Sequence, residues 1–219
     1  MKRFNLRVLV ILSLGHLVVD IYQGALPAVL PFLKDRLDLS YAMTGLILMA
    51  SNFTSSILQP VFGYVSDRKA IPFILPFGLL AAGIGFSLLA YSPYFLLVLG
   101  LVIVSGLGVA SYHPEGYKTA HFFTGERAAT GMSFFSVGGN IGFSLGPIIS
   151  MFIVNYYGFS VLPVIVVPAL LCAVLVLVNK KVIMVPVEDH ERMIKRESSK
   201  VPTTSWVSLG VVILIVVMR

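Results

Sequence analysis

The sequence predicts an all-α integral membrane protein, a bundle of six membrane-spanning helices followed by the start of a seventh. Charged residues make up 12% of the chain, about half of the roughly 25% found in soluble domains. Apolar runs of about 20 residues, the length that crosses a bilayer as a helix, repeat along it. The runs are apolar on every face and are about twice as long as barrel strands of about 10 alternating residues, so they are predicted to be helices.

The predicted spans cover residues 7–33, 41–63, 71–90, 94–116, 128–153 and 160–179. They form an N-terminal transmembrane bundle over residues 1–179. Residues 180–204 are polar and are predicted to be a cytoplasmic linker. Residues 205–219 would form about 22 Å of helix, less than the hydrocarbon core of about 30 Å. We therefore expect a truncated seventh helix, and a second six-helix half that is missing from this chain.

The distribution of Lys and Arg predicts how the spans are oriented. One set of alternate loops carries Lys2, Arg3, Arg7, Arg68, Lys69, Lys118, Arg127, Lys180, Lys181, Arg192, Lys195, Arg196 and Lys200. The other set carries Lys34, Arg36 and Arg219. Basic residues concentrate on the cytoplasmic side, so we expect a multi-pass protein of the plasma (inner) membrane with a cytoplasmic N-terminus. The same rule explains the net charge of +6, and no nucleic-acid partner is expected.

Two pairs of prolines indicate an internal repeat. A shift of 87 residues superposes Pro27 on Pro114 and Pro60 on Pro147. It also lays the first span over the fourth, which crosses the bilayer in the opposite direction. Such inverted three-helix units, arranged 3+3, occur within the halves of many transporters.

Asp20 lies at the centre of the first span. Inserting a carboxylate at that depth of the membrane costs about 2.5–3.5 kcal/mol of free energy. Such a group is expected to face a cavity or the bundle interior, which suits a group that binds and releases a proton. The alternative is a permanently neutral acid that fixes packing. His16 lies one turn earlier on the same face; it either shares a proton with Asp20 or is satisfied by a neighbouring helix.

The segment SYHPEGYK, residues 111–118, is predicted to end the fourth span. Pro114 removes a backbone donor and leaves carbonyls near Ala110 free to bind another group. His113 and Glu115 beside it are candidates for a proton relay or for the polar wall of a substrate cavity. The alternative is an interfacial cap in which Glu115 pairs with Lys118.

The short turn after the second span contains Gly63, Asp67 and Arg68. Gly63 would permit close backbone approach, Asp67 would sit at the positive N-terminus of the third span, and Arg68 would bridge to a neighbour. These residues are candidates for gating, although a solvated charged turn is the simpler alternative.

Glycines recur every four residues in the fifth span and are followed by a proline. Small residues at this spacing let membrane helices pack closely, and the proline adds a bend, so the stripe is a candidate for conformational control. It consists of Gly138, Gly142, Gly146 and Pro147. Three polar residues within spans are candidates for cavity lining or for interhelical hydrogen bonds. They are Asn52, Gln59 and Asn140.

Several kinds of chemistry have no signature in this sequence. It has no Gly-rich phosphate loop with its Lys, so ATP is not expected to drive the protein. No nucleophile–base pair or metal-ligand spacing is evident, so no enzyme activity, metal or cofactor is expected. The expected partners are lipid, a small-molecule substrate and protons, with the proton gradient as the driving force.

Four motifs together resemble one known family. They are DIYQGALP at residues 20–27, GYVSDR at 63–68, HPE at 113–115 and GFSLGP at 142–147. The set resembles the drug/proton antiporters of the major facilitator superfamily and is similar to their fosmidomycin-resistance exporter branch. The resemblance implies twelve helices in two halves, alternating access, and export of a drug against proton entry.

The function we predict is a proton-coupled secondary transporter that exports a small molecule or drug, with a fosmidomycin-like antibiotic among the candidates. One alternative is a metabolite uptake symporter or facilitator of the same fold. The other is a non-transporting membrane fragment or interaction module.

Overall fold

A computed structural model describes residues 4–68 and 73–183 of the chain. Most of the predicted linker, residues 184–204, and the predicted seventh helix lie outside the described residues. The described part belongs to one compact unit.

Six helical segments of the described part are long and apolar enough to cross a membrane, which confirms the six predicted spans. The α-helices are α1 (Leu6–Leu37), α2 (Tyr41–Ile57), α3 (Gln59–Arg68), α4 (Ile74–Ser87), α5 (Phe95–Phe122), α6 (Ala128–Tyr157), α7 (Val166–Val178) and α8 (Lys180–Ile183). The second span consists of α2 and α3. Short 3₁₀ helices extend α4 at Leu88–Tyr91 and precede α7 at Phe159–Ile165.

Four spans run four or more residues further than the sequence predicted, and among them the second continues to Arg68 and the fifth to Tyr157. The first continues to Leu37 rather than ending near residue 33. The fourth continues to Phe122, so the expectation that the segment around Pro114 ends this helix is wrong. Proline lacks only one backbone donor, and its fixed φ is compatible with a helix, so a helix that is packed on both sides can continue through it.

The turn between the first two spans is tight because side chains and backbone cap both helix ends. Asp38 adopts a left-handed conformation with φ of 50°, and the next amide, Leu39 N, donates to Lys34 O at 2.9 Å. Ser40 then caps α2, because its side chain accepts a hydrogen bond from Met43 N at 3.2 Å. The first two spans are therefore joined by only three residues, Asp38, Leu39 and Ser40.

The first span is the centre of the bundle. It packs along α6 and also contacts α4, α5 and α7, while α2 and α3 pack against α5. Two fully buried tyrosines hold these contacts with hydrogen bonds to backbone carbonyls. Tyr112 on α5 donates to Leu12 O at 2.8 Å, and Tyr22 on α1 donates to Ile165 O at 2.9 Å. Both hydroxyls are satisfied inside an apolar bundle, so they fix the rotation of the helices that they join.

The helix boundaries support the predicted repeat. The second span begins at Tyr41 and the fifth at Ala128, and these positions differ by the same 87 residues as the proline pairs. The second and fifth spans therefore begin in the same register within their three-helix units.

Contacts between helix ends show which basic residues share a side of the bundle. At one end, Arg7 Nη2 donates to Asn179 Oδ1 at 2.8 Å, and Lys118 Nζ donates to Ser66 O at 2.7 Å. At the other end, the guanidinium of Arg36 contacts the carbonyls of the α4–α5 connection. The end with more basic residues is the one that the positive-inside rule places in the cytoplasm.

Candidate functional site

Three titratable side chains meet in the middle of the bundle. Asp20 lies midway along α1 and is buried, with 9% of its surface exposed. His16, one turn earlier, places Nε2 3.2 Å from Asp20 Oδ2. His113 reaches across from α5 and places Nε2 3.0 Å from Asp20 Oδ1. One carboxylate therefore lies between two imidazoles that come from different helices.

Backbone carbonyls determine which ring nitrogen of each histidine carries hydrogen. His16 Nδ1 lies 2.8 Å from Phe135 O, and His113 Nδ1 lies 2.8 Å from Val109 O. A carbonyl oxygen only accepts, so Nδ1 is the protonated nitrogen in both rings. In a neutral ring Nε2 then has a free lone pair, and both of these lone pairs adjoin Asp20.

With this tautomer the cluster has acceptor atoms that can bind protons. A carboxylate oxygen next to an unprotonated nitrogen places two acceptors together, which is unfavourable unless a proton lies between them. Each imidazole–carboxylate contact therefore has room for one exchangeable proton. With both protons bound, two imidazolium ions and one carboxylate sum to +1, and with neither bound the cluster carries −1.

The carboxylate also has unused capacity for hydrogen bonding. Asp20 Oδ1 is fully buried, and its polar neighbour at 3.0 Å is His113 Nε2, which donates to it only when that nitrogen is protonated. A buried acceptor without a donor costs about 1–3 kcal/mol. Binding a proton at this oxygen would remove that cost.

Phe135 and Gly139 on α6 form the wall behind the cluster, and neither was a candidate from the sequence. The Phe135 ring stacks on His16 with centroids 4.2 Å apart. A Cβ at Gly139 would lie 2.5 Å from His16 Nε2 and 2.6 Å from Asp20 Oδ2. Gly139 adjoins Gly138 of the predicted stripe, and that adjacency was the only sequence signal for it.

Two histidines and a carboxylate are also residue types that ligate transition metals, and sequence spacing gave no sign of such a cluster. Their ligand atoms lie within 4.8 Å of one another. A tetrahedral zinc site with bonds of about 2.0–2.1 Å has edges of about 3.3 Å. The two contacts to Asp20 match that edge, but the full spread of the set exceeds it. The arrangement fits protons shared pairwise better than an ion held by all three groups.

Glu115 belongs to a second polar cluster, at the end of the bundle that carries Arg7. Its Oε2 lies 2.8 Å from Lys118 Nζ and also contacts the hydroxyl of Ser66 on α3. Thr119 Oγ1 donates to Glu115 Oε1 at 3.3 Å. The geometry therefore matches the pairing with Lys118 and separates Glu115 from Asp20.

The turn after the second span differs from what was expected. Asp67 is exposed in the last turn of α3, and the residue at the N-cap of α4 is Phe73, so Asp67 does not cap the third span. The helix simply continues through this motif. A Cβ at Gly63 would meet Pro114 Cβ at 3.6 Å, an ordinary contact, so no close backbone approach requires this glycine. The side chain of Arg68 lies outside the described residues.

The glycine stripe on α6 lies against the backbone of α1, and all three glycines are buried. A Cβ at each would overlap a carbonyl oxygen of the facing helix. Measured from the added Cβ, the distances are 2.5 Å at Gly138 to Ser13 O, 2.0 Å at Gly142 to Leu17 O and 2.3 Å at Gly146 to Ile21 O. Pro147 lies inside α6, which continues to Tyr157. The glycines therefore allow the closest helix contact near the Asp20 cluster.

The three polar candidates within the spans are not part of the cluster. Asn52 and Asn140 are exposed on α2 and α6, and Gln59 Nε2 donates to Ser55 O at 2.7 Å. Further exposed hydroxyls share the α6 face of Asn140: Ser133, Ser136 and Ser144. A polar stripe in the middle of a span is costly against lipid, so this face suits a water-filled space.

Comparison with known proteins agrees with the fold and with the resemblance. Residues 12–218 match the family model described as Major Facilitator Superfamily. The chain is 36% identical over 156 residues to the fosmidomycin resistance protein of Escherichia coli (strain K12), which covers 71% of this chain and 38% of that protein.

Two proteins of Bacillus subtilis (strain 168) are also similar. The uncharacterized MFS-type transporter YfnC is 36% identical over 146 residues, which covers 67% of this chain and 36% of that protein. The bacillibactin exporter is 28% identical over 160 residues, covering 69% and 40%. No solved structure gives a significant match. The chain thus matches well under half the length of these relatives, and it belongs to the Major Facilitator Superfamily, a family of membrane transporters and not of enzymes.

Proposed function

We propose that this six-helix bundle is the N-terminal half of a proton-coupled exporter, and that Asp20, His16 and His113 form its proton site. The observation that carries the proposal is the buried Asp20 carboxylate between two imidazoles whose Nε2 atoms are free to accept protons. The complete transporter would contain a second six-helix half that closes the substrate cavity.

The proton site is also placed to respond to helix movement. His16 and Asp20 belong to the same helix, whereas His113 belongs to α5. A proton between Asp20 and His113 makes their contact attractive, and its loss leaves two acceptors facing each other across the α1–α5 interface. Protonation would thereby favour one relative position of these helices, which is what alternating access requires of a coupling site.

The names of two relatives support outward transport. One is a fosmidomycin resistance protein and another is a bacillibactin exporter. We therefore propose that the substrate is a small molecule moved out of the cell, with a fosmidomycin-like antibiotic as the first compound to test. The location we propose is the plasma (inner) membrane with a cytoplasmic N-terminus, based on the concentration of Lys and Arg at one end of the spans.

The test is Asp20→Asn in the complete transporter, reconstituted in vesicles. Asparagine keeps the size of the side chain but binds no proton, so efflux driven by a proton gradient should fall at least tenfold. Exchange of labelled for unlabelled substrate, which needs no net proton movement, should continue. The matched control is Asp35→Asn, because Asp35 lies on the same helix with its side chain 82% exposed. Full gradient-driven efflux in Asp20→Asn would exclude this site as the coupling group.

A further inference from the structure

A small cavity lies between the first four spans, beside the Asp20 cluster. Five side chains with polar atoms line it in an otherwise apolar wall: Tyr22, Gln23, Ser51, Ser55 and Ser105. None of them was a candidate from the sequence, and none takes part in the proton site described above.

The cavity begins one helical turn from the proton site on two helices. Gln23 lies three residues after Asp20 and so shares its face of α1. Val109, which also lines the cavity, supplies the carbonyl that holds His113 Nδ1. Both helices place the cavity on the side of Asp20 away from the Glu115–Lys118 pair. With the orientation proposed above, this is the extracellular side.

The lining groups have hydrogen-bonding capacity that protein does not use. Ser55 Oγ donates to Asn52 O at 3.2 Å, and Ser105 Oγ donates to Ala82 O at 3.0 Å, which leaves lone pairs on both oxygens. Among the described residues, the Gln23 amide and the Ser51 hydroxyl have no protein partner. Polar groups in an apolar bundle require a partner, and water in the cavity can supply it.

We propose that this cavity holds water and is the route by which protons reach Asp20 from the extracellular side. This inference rests on the proposed proton site. A proton taken up at the outer end would pass through water held by Gln23 and Ser51, which forms one O–H bond as it breaks another, and the released proton would form an N–H bond at His113 Nε2, beside the Asp20 carboxylate. Towards the cytoplasm, the fully buried Tyr112 donates to Leu12 O, one helical turn before His16.

Among the described residues, few titratable groups face this route. They are the two histidines and Asp20 itself, together with Tyr22, whose hydroxyl already donates to Ile165 O. Gln23 and the serines do not titrate, so their role is to hold water and not to store the proton.

Hydration of the cavity can be measured without any transport. In the complete transporter with Cys172→Ala, a cysteine at Ser51 should react with a small methanethiosulfonate added outside, at least tenfold faster than one at Ser87. Ser87 is the matched control because it is 2% exposed and its hydroxyl has no partner and does not line the cavity. Equal, slow reaction at both positions would overturn the proposal.

The route itself is tested with Gln23→Leu, and with Ser87→Ala as its control. Gln23→Leu should lower gradient-driven efflux at least tenfold and leave substrate exchange unchanged. Equal loss of efflux and exchange would make Gln23 a substrate contact and refute the route. Failure of Asp20→Asn to reduce driven efflux would refute the proton site instead, whatever the labelling at Ser51 shows.

Discussion

Among the described glycines, Gly142 makes the closest approach to a neighbouring helix, and Gly142→Ala therefore gives the sharpest prediction. A Cβ at this position would lie 2.0 Å from Leu17 O, whereas ordinary van der Waals contact begins at 3.4 Å. The α1 and α6 backbones would have to separate locally by the difference, about 1.4 Å. The facing carbonyl belongs to a helix backbone and cannot rotate away as a side chain could.

The free-energy cost of this substitution can be estimated. Forcing extra atoms into a packed interior typically costs about 1–3 kcal/mol. A change of 1.4 kcal/mol shifts an equilibrium tenfold, so the balance between two transporter conformations should change by about that factor when only one of them keeps α1 and α6 in this contact. Leu17 adjoins His16, so separation at this point also disturbs the proton site.

Two measurements on the complete transporter check the prediction. Gly142→Ala should lower the thermal unfolding midpoint of the purified protein by several degrees and reduce transport per inserted molecule about tenfold. Gly100→Ala is the matched control, since a Cβ there meets nothing within 4 Å. If Gly142→Ala and Gly100→Ala have the same midpoint and the same transport, α1 and α6 are not in the close contact described.

Three further predictions follow from the structure. A cysteine at Tyr94 should react only with reagent added outside intact cells, and one at Glu126 only with reagent added inside. The reverse pattern would show that the spans have the opposite orientation. Lys118→Met should lower the unfolding midpoint because it leaves Glu115 without its cation, and adding Glu115→Gln should restore much of the loss; no recovery would mean that the pair acts independently. Gly139→Ala should impair gradient-driven efflux more than exchange, because its methyl group would meet the proton site; equal effects on both would contradict that placement.

The membrane spans were predictable because lipid imposes a simple rule. Backbone groups in the bilayer must bond within their own helix, so each span is a long apolar run that shows in the sequence. The ends were less predictable: α5 continues through Pro114 to Phe122, because a packed helix tolerates one missing hydrogen bond. Asp67 was misplaced for a related reason, since α3 continues where a turn was expected.

Asp20 could be singled out from the sequence alone, because a carboxylate at the centre of an apolar run is costly to bury in any fold. The sequence also placed His16 on the same face, since contacts one helical turn apart depend only on helix geometry. Which distant residues complete the site depends on how the helices pack. Nothing in the spacing shows that His113 turns towards Asp20 while Glu115, two residues on, turns towards Ser66. That depends on how α5 rotates against α1, which is fixed by packing contacts such as Tyr112 on Leu12 O and not by local sequence.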